Sequence, residues 1–432
     1  MCMVKSKSEL AILGGAKSIR KVFDRHNSIG NEEIDAVVDV MKSGVLSKFL
    51  GAWDPDFFGG EKILQFEKAC EDYFKVKFAI SVNSWTSGLV VAVGAIGIEP
   101  GDEVIVSPWT MSASAMAILH WNAIPVFADI EEKTFCLDPK SVESKITSRT
   151  KAIMAIDIFG RSASMNEIMA IASKYKLKVI SDSAQSPGAN YLGKKAGTFA
   201  DIGGISLNYH KHIHTGEGGV LFTNDEKLAM KMKLIRNHAE SVVEGAGQHD
   251  LTNMVGYNFR LGEIEAAIGI EQLKKLDSII LQKQAIANVL SGRLRNLQGL
   301  ITPTTHEDLT NVYYVYPLII DTTIIKISRS RLVQALREEG VPALAEGYQN
   351  IHLLPIFQKK IAFGKKGFPW SLLKANEQPN YKPGSCPIAE KLHSQTYISL
   401  GLTGLDLTKG DAEMIADAFQ KVWNNLENLV IS

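Results

Sequence analysis

The sequence predicts an α/β protein, with a large domain on a mainly parallel seven-stranded sheet and a smaller α+β domain at the C-terminus. Three observations predict it. Between residues 77 and 240, short apolar β-rich runs alternate with helical stretches. Those runs lack polar alternation, as strands buried on both faces do. After residue 260 the pattern changes to one long helical stripe followed by mixed short elements. Strand and helix in turn imply helices on both faces of the sheet. Ligands in such sheets gather at the C-terminal ends of the strands.

The seven strands are expected at 78–82, 104–107, 124–128, 152–157, 178–182, 202–206 and 220–223. Ahead of them, 30–43 (GNEEIDAVVDVMKS) and 61–74 (EKILQFEKACEDYF) read as amphipathic helices. The intervening 44–60, rich in Gly and aromatics, reads equally as an ordered surface loop or as the border of a ligand site. Residues 261–298 form a helical pattern whose stripe is Leu261, Ile264, Ala267, Ile268, Leu273, Leu276, Ile280 and Leu294. A strand follows at 313–320 (YYVYPLII), then a helix near 328–339. Residues 358–386, rich in Gly, Pro and Lys, are expected to be irregular, and 411–426 closes the chain as an amphipathic helix. The expected division is 1–250 for the N-terminal segment and large domain, and 251–432 for the small domain on its long connecting helix.

Composition narrows the classes. The chain has 432 residues, more than one ordinary domain. Its 45% hydrophobic and 22% charged fractions are those of a soluble globular protein. Forty-seven basic and 47 acidic residues cancel, so the balance gives no case for nucleic acid or a membrane surface. No apolar run is long enough to span a bilayer, and residues 1–13 lack a secretory pattern. The cytoplasm is the expected location. Cys2, Cys70, Cys136 and Cys386 have no metal-ligand spacing and are expected to be reduced thiols.

Three segments carry chemistry. In VISDSAQSPGANYLG (179–193) an apolar strand ends at Asp182, which puts a carboxylate at the sheet edge. Alone, such an Asp is more commonly just a cap for the next helix. In ISLNYHKHIHTGEGGV (205–220) a strand delivers Ser206, and Lys211 follows between His210 and His212. With no acidic partner at ligand spacing, these histidines give no expectation of a metal. A lysine between two buried strands says more. Burial favours its neutral amine, the form that attacks an aldehyde to make an imine. In ISVNSWTSGLVVAV (80–93) a strand runs through a small polar turn into an apolar helix. Free N–H groups and hydroxyls at a helix start suit a phosphate, although a plain helix cap looks the same.

Together, a phosphate-binding helix start, an acidic strand end and an imine-forming lysine are what pyridoxal 5'-phosphate (PLP) requires. A carboxylate keeps its pyridine nitrogen protonated so that the ring withdraws electrons.

At these residues the chain resembles the DegT/DnrJ/EryC1/StrS aminotransferases, PLP enzymes of fold type I. The resemblance runs over nearly the whole chain. It is strongest at Asp182-Ser-Ala-Gln185, at Ser206 to Lys211 with Gly216-Glu217-Gly218-Gly219, and at Gly256-Tyr-Asn258-Phe-Arg260-Leu-Gly-Glu263. It implies that Lys211 is the Schiff-base lysine and that Asp182 partners the pyridine nitrogen. Gln185 would bond the ring's 3-hydroxyl. Ser206 and Thr86, with backbone N–H groups of Trp85 and Thr86, would hold the phosphate. Asn258 would reach the phosphate of a neighbouring subunit, which implies a homodimer with shared active sites. Trp85 stands where the family usually has a small residue, and Met111 where it usually has an aromatic ring over the cofactor face. Asp157 to Gly160 replaces a His-containing strand end.

The implied reaction is ping-pong transfer of an amino group from glutamate or glutamine to a keto-sugar or keto-cyclitol. Relatives that dehydrate sugars carry His at the position of Lys211, so lysine favours transamination over a dehydratase. The intact residue set argues against a non-catalytic regulator. Leu10 to Gly15, Glu339 to Tyr348 and Cys386-Pro387 look most like the cyclitol branch, while nucleotide-linked keto-sugars stay open. The segments 44–60 and 358–386 are candidate pocket borders, and Lys48, Trp53 and Tyr348 candidate substrate contacts.

Overall fold

The computed structural model describes residues 9–306 and 308–430, so Cys2 lies outside the described residues. Seven strands form the main sheet: β1 Phe78–Val82, β2 Glu103–Val106, β3 Ile124–Phe127, β4 Thr150–Ile156, β5 Lys178–Asp182, β6 Ile202–Ser206 and β7 Gly219–Thr223. Their spatial order is β1-β7-β6-β5-β4-β2-β3. Strands β2 to β6 run parallel. β7 runs antiparallel to both β6 and β1. The reason is the connection: residues 207–218 contain no crossover helix, and a parallel return needs one.

The helices follow from their apolar stripes and caps. α1 is Asn31–Ser43 and α2 is Glu61–Phe74, which buries Ile63, Phe66, Cys70 and Phe74. α3 (Trp85–Ala95) starts at Ser84, whose Oγ accepts from Ser87 N–H at 3.1 Å. It is apolar nearly all round and is buried accordingly. α4 is Ala113–His120. Cys70, Cys136 and Cys386 are buried and unpaired.

The long helix α5, Glu263–Leu294, is about 48 Å from end to end. Of its expected stripe, Ala267, Leu273, Leu276, Ile280 and Leu294 are buried, whereas Ile264 and Ile268 are only half-buried. It packs against α1, α2 and the C-terminal helix Lys409–Trp423 and therefore also buries Gln272 and Lys283. Its first residue, Glu263, accepts from the N–H groups of Gly60 and Lys62 and so holds the start of α2.

The second sheet is antiparallel: β8 Leu300–Ile301, β9 Val315–Ile320, β10 Leu344–Glu346 and β11 Tyr397–Gly401, in the order β8-β9-β11-β10. The expected strand at 313–320 starts two residues late. Tyr313 takes φ 54° with its N–H on Asn311 Oδ1 at 2.6 Å, which turns Tyr314 out of the strand.

The chain crosses between cores at two places. Leu10 and Ile19 pack into the core of the second sheet, and the buried Glu339 carboxylate accepts from Ala11 and Ser18 N–H and from Lys421. In the other direction, Phe357, Trp370 and Tyr381 pack on the large core around Phe127 of β3. Tyr381 donates to Pro125 O at 2.6 Å. The irregular 358–386 stretch, with only short 3-10 turns, thus covers the edge strand of the sheet.

Candidate active site

Strands β5 and β6 end side by side and deliver Asp182 and Ser206 to the same edge of the sheet. A cavity of about 160 Å³ opens there. Trp85, Thr86, Met111, Asp182, Gln185, Ser206 and Lys211 all line it. Larger hollows of about 640 and 720 Å³ lie beside the 44–60 loop, but neither is lined by Lys211 or Asp182. Converging chemistry, not size, marks the site.

The Asp182 carboxylate is buried and firmly held. Oδ1 accepts from Trp85 Nε1–H at 2.7 Å and from Ala184 N–H at 3.2 Å, and Oδ2 accepts from Ser114 Oγ–H at 2.8 Å. A carboxylate has about four acceptor positions, so one is left. Lys211 is also buried, and no hydrogen bond or ion pair holds its Nζ among the described residues. Burial pushes its amine down to about 8, against the pull of the Asp182 charge. The amine lies over the Tyr314 ring at 4.6 Å.

The start of α3 forms the second part of the site. Ser84 takes the N–H of Ser87, which leaves those of Trp85 and Thr86, the first two helical residues, without intrahelical acceptors. Trp85 keeps a negative φ, so its side chain does not disturb that geometry. Met111 lines the mouth and is largely exposed, its sulfur accepting from Ala113 N–H at 3.0 Å. Gln185 is fixed between Phe159 N–H at 3.0 Å and Tyr348 Oη at 3.2 Å. Asp157 lies beneath, taking hydrogen bonds from Ser181, Ser183 and Ala163 N–H while burial raises its carboxyl.

Three proposed contacts fall elsewhere. Asn258 is exposed and outside this cavity, with Arg260 Nε–H on its Oδ1 at 2.8 Å. Lys48 pairs with Asp56 and Trp53 packs on Phe57 and Phe58, both away from Lys211. The 44–60 and 358–386 segments supply no residue to the cavity lining. Of the histidines, His212 is fully buried with Nε2 at Val312 O, and His210 is exposed beside Tyr209. Sequence reading missed Ser114, Tyr314 and the side chain of Trp85. Ser114 and Tyr314 lie far from Asp182 and Lys211 in the chain, and no motif marks them.

The DegT/DnrJ/EryC1/StrS aminotransferase family model matches residues 27–420. The chain belongs to this family. GDP-perosamine synthase of Caulobacter vibrioides is 36% identical over 298 residues, 68% of this chain and 78% of that protein. L-glutamine:scyllo-inosose aminotransferase of Streptomyces griseus is 28% identical over 98% of this chain and 99% of its own length. Among solved structures, S. venezuelae DesV in complex with a ketimine intermediate superposes with a TM-score of 0.74 at 28% identity, over 91% of this chain and 94% of that one. As a member of the family, the chain is a PLP-dependent aminotransferase. The residues present fit the cofactor: a free buried amine, a carboxylate with one open acceptor position and two unpaired helix N–H groups face one cavity.

Proposed function

We propose that this chain transfers an amino group from glutamate or glutamine to the ketone of a nucleotide-linked sugar or a cyclitol, with Lys211 as the base and Asp182 as the partner of the pyridine nitrogen. The observation that carries the reading is the unpaired, buried Lys211 amine in one cavity with the Asp182 carboxylate. Bound PLP supplies the aldehyde that carries the amine and the ring that takes up the electron pair. Lys211 holds the cofactor and moves the proton at the substrate carbon, for which a near-neutral amine is suited. Asp182 keeps a negative charge at the pyridine nitrogen. The Trp85 and Thr86 N–H groups with Ser206 and Thr86 hydroxyls bind the phosphate, Gln185 the 3-hydroxyl, and Met111 packs on the ring face.

The full-length match to an inosose aminotransferase supports a cyclitol acceptor, and the match to GDP-perosamine synthase a nucleotide sugar. The exposed position of Asn258 supports a homodimer in which it completes the phosphate site of a second copy. Exposed Leu46, Leu50, Trp53 and Leu64 supply apolar surface for that pairing. Buried, unpaired cysteines support a cytoplasmic setting. Among the described residues, no helix is long and apolar enough to cross a membrane.

The test is a half-reaction. Glutamate or glutamine should bleach the visible absorption of the PLP-loaded protein, and a keto-cyclitol or keto-sugar should restore it with an aminated product. Lys211→Ala should abolish both changes. A native protein that no amino donor bleaches, or a dehydrated product without nitrogen, would sink the reading.

A further inference from the structure

We propose that Trp85 is a positioning residue for the cofactor's pyridine nitrogen, acting through Asp182. The idea rests on the pairing of Asp182 with that nitrogen put forward above. Two independent observations carry it. The first is the hydrogen bond: Trp85 Nε1–H donates to Asp182 Oδ1 at 2.7 Å, and both residues are buried. The second is the slot made for the indole. A Cβ on Gly204 of β6 would fall 2.4 Å from the indole, and one on Gly88 of α3 would fall 2.9 Å from it. A Cβ on Gly219 of β7 would meet the Trp85 backbone at 2.9 Å. Glycine inside a strand weakens it and marks a close approach. Here a Cβ on Gly204 would meet Val220 O of β7 at 2.2 Å and, at 2.4 Å, the ring that holds the carboxylate.

The consequence is chemical. Trp85 and Ser114 grip opposite oxygens of Asp182, and Ala184 N–H takes a further position. The carboxylate cannot swing, so its remaining acceptor position is fixed toward the cavity. A carboxylate fixed in this way faces the pyridine nitrogen in one orientation, and that pairing supports the state in which the ring withdraws electrons. Removing the indole donor frees Oδ1 and loosens the pairing.

Trp85→Phe keeps an aromatic ring in the slot and deletes the donor, together with part of the indole's volume. The expected result is a fall of about tenfold or more in kcat for the donor half-reaction, the scale of one hydrogen bond to a charged group. KM for the donor should stay within about threefold, since the indole N–H is engaged by Asp182 and not free for the substrate. The pH profile of the bound cofactor's visible absorption should move with it. Asp182→Asn serves as the reference. If it moves the pH profile and Trp85→Phe does not, Trp85 only fills space and the proposal falls. If Asp182→Asn leaves the profile unchanged, the pairing itself is wrong, and this proposal goes with it. Should Trp85→Phe fail to fold, amide–indole NMR of the native holoenzyme decides. One of the six indole N–H signals should resist exchange and move in Asp182→Asn. Six signals unaffected by that substitution would overturn the assignment.

Discussion

The amine of Lys211 lies 4.6 Å from the centre of the Tyr314 ring, so the turn leading into β9 closes over the buried lysine. That contact joins the two sheets at one atom. It depends on the left-handed Tyr313, which takes Tyr314 out of the strand and lets its ring reach the end of the main sheet.

Tyr314→Ala should let water reach the amine. Burial is the larger influence on Lys211, so losing the cover outweighs losing the ring's attraction for the protonated form. Its pKa should climb back toward that of an ordinary lysine. Recapture of PLP by the apoprotein at pH 8, followed by visible absorption, should slow by about tenfold for each unit of recovery. Tyr314→Phe keeps the ring and should behave as the native protein. An unchanged Tyr314→Ala would show that the ring does not shield the amine.

Native Lys211 should show its depressed value directly. Its amine becomes neutral as pH rises through about 8, well below an ordinary lysine. PLP capture by the apoprotein should therefore rise about tenfold per unit below pH 8 and level off above it. A depressed folded-state value means that the unfolded chain binds the proton more readily between about pH 8 and the ordinary lysine value. Lys211 thus costs stability below pH 8 and ceases to do so above the unfolded value. Apo Lys211→Met should unfold at higher denaturant than the native apoprotein at pH 7, and the gap should narrow by pH 10.

Tyr348 stands behind Gln185 of the cavity wall, whose Nε2–H donates to its Oη at 3.2 Å, and its ring packs on Trp109 and Phe159. Tyr348→Phe should raise the KM of the acceptor half-reaction by about tenfold, the scale of one lost hydrogen bond. The donor half-reaction should stay within about threefold. Equal effects on both half-reactions would mean that Tyr348 acts on Gln185 and the cofactor, not on the acceptor.

Glu67 on α2 accepts from Arg236 Nη1–H at 2.6 Å and from Ser81 N–H and Oγ–H, all buried. Arg236 is fully buried, so Glu67→Ala leaves a charge without a counterion beneath β1. The expected cost is about 3–5 kcal/mol, read as a lowered midpoint of denaturant unfolding. A midpoint within error of the native protein would mean that water reaches Arg236.

By itself the sequence determined the sheet and the strand-end residues that share one cavity. All seven main strands lie within about two residues of their expected places, because strands buried on both faces must be apolar throughout and announce themselves. Asp182, Ser206 and Lys211 were legible because parallel strands carry their C-terminal residues to one edge, whatever else the chain does. Tertiary structure alone decided what surrounds them. Ser114 and Tyr314 reach the site from other elements, and no local pattern encodes a contact over such separations. The Trp85 indole lies against Asp182 because Gly88, Gly204 and Gly219 clear a path for it, and those glycines sit on three different elements. The 358–386 stretch has no periodicity, since it is shaped by the edge strand it covers and by scattered side-chain hydrogen bonds such as Trp370 Nε1–H to Tyr381 Oη, not by a regular backbone ladder. Local pattern fixes which elements form; only packing between elements distant in sequence fixes which side chains meet.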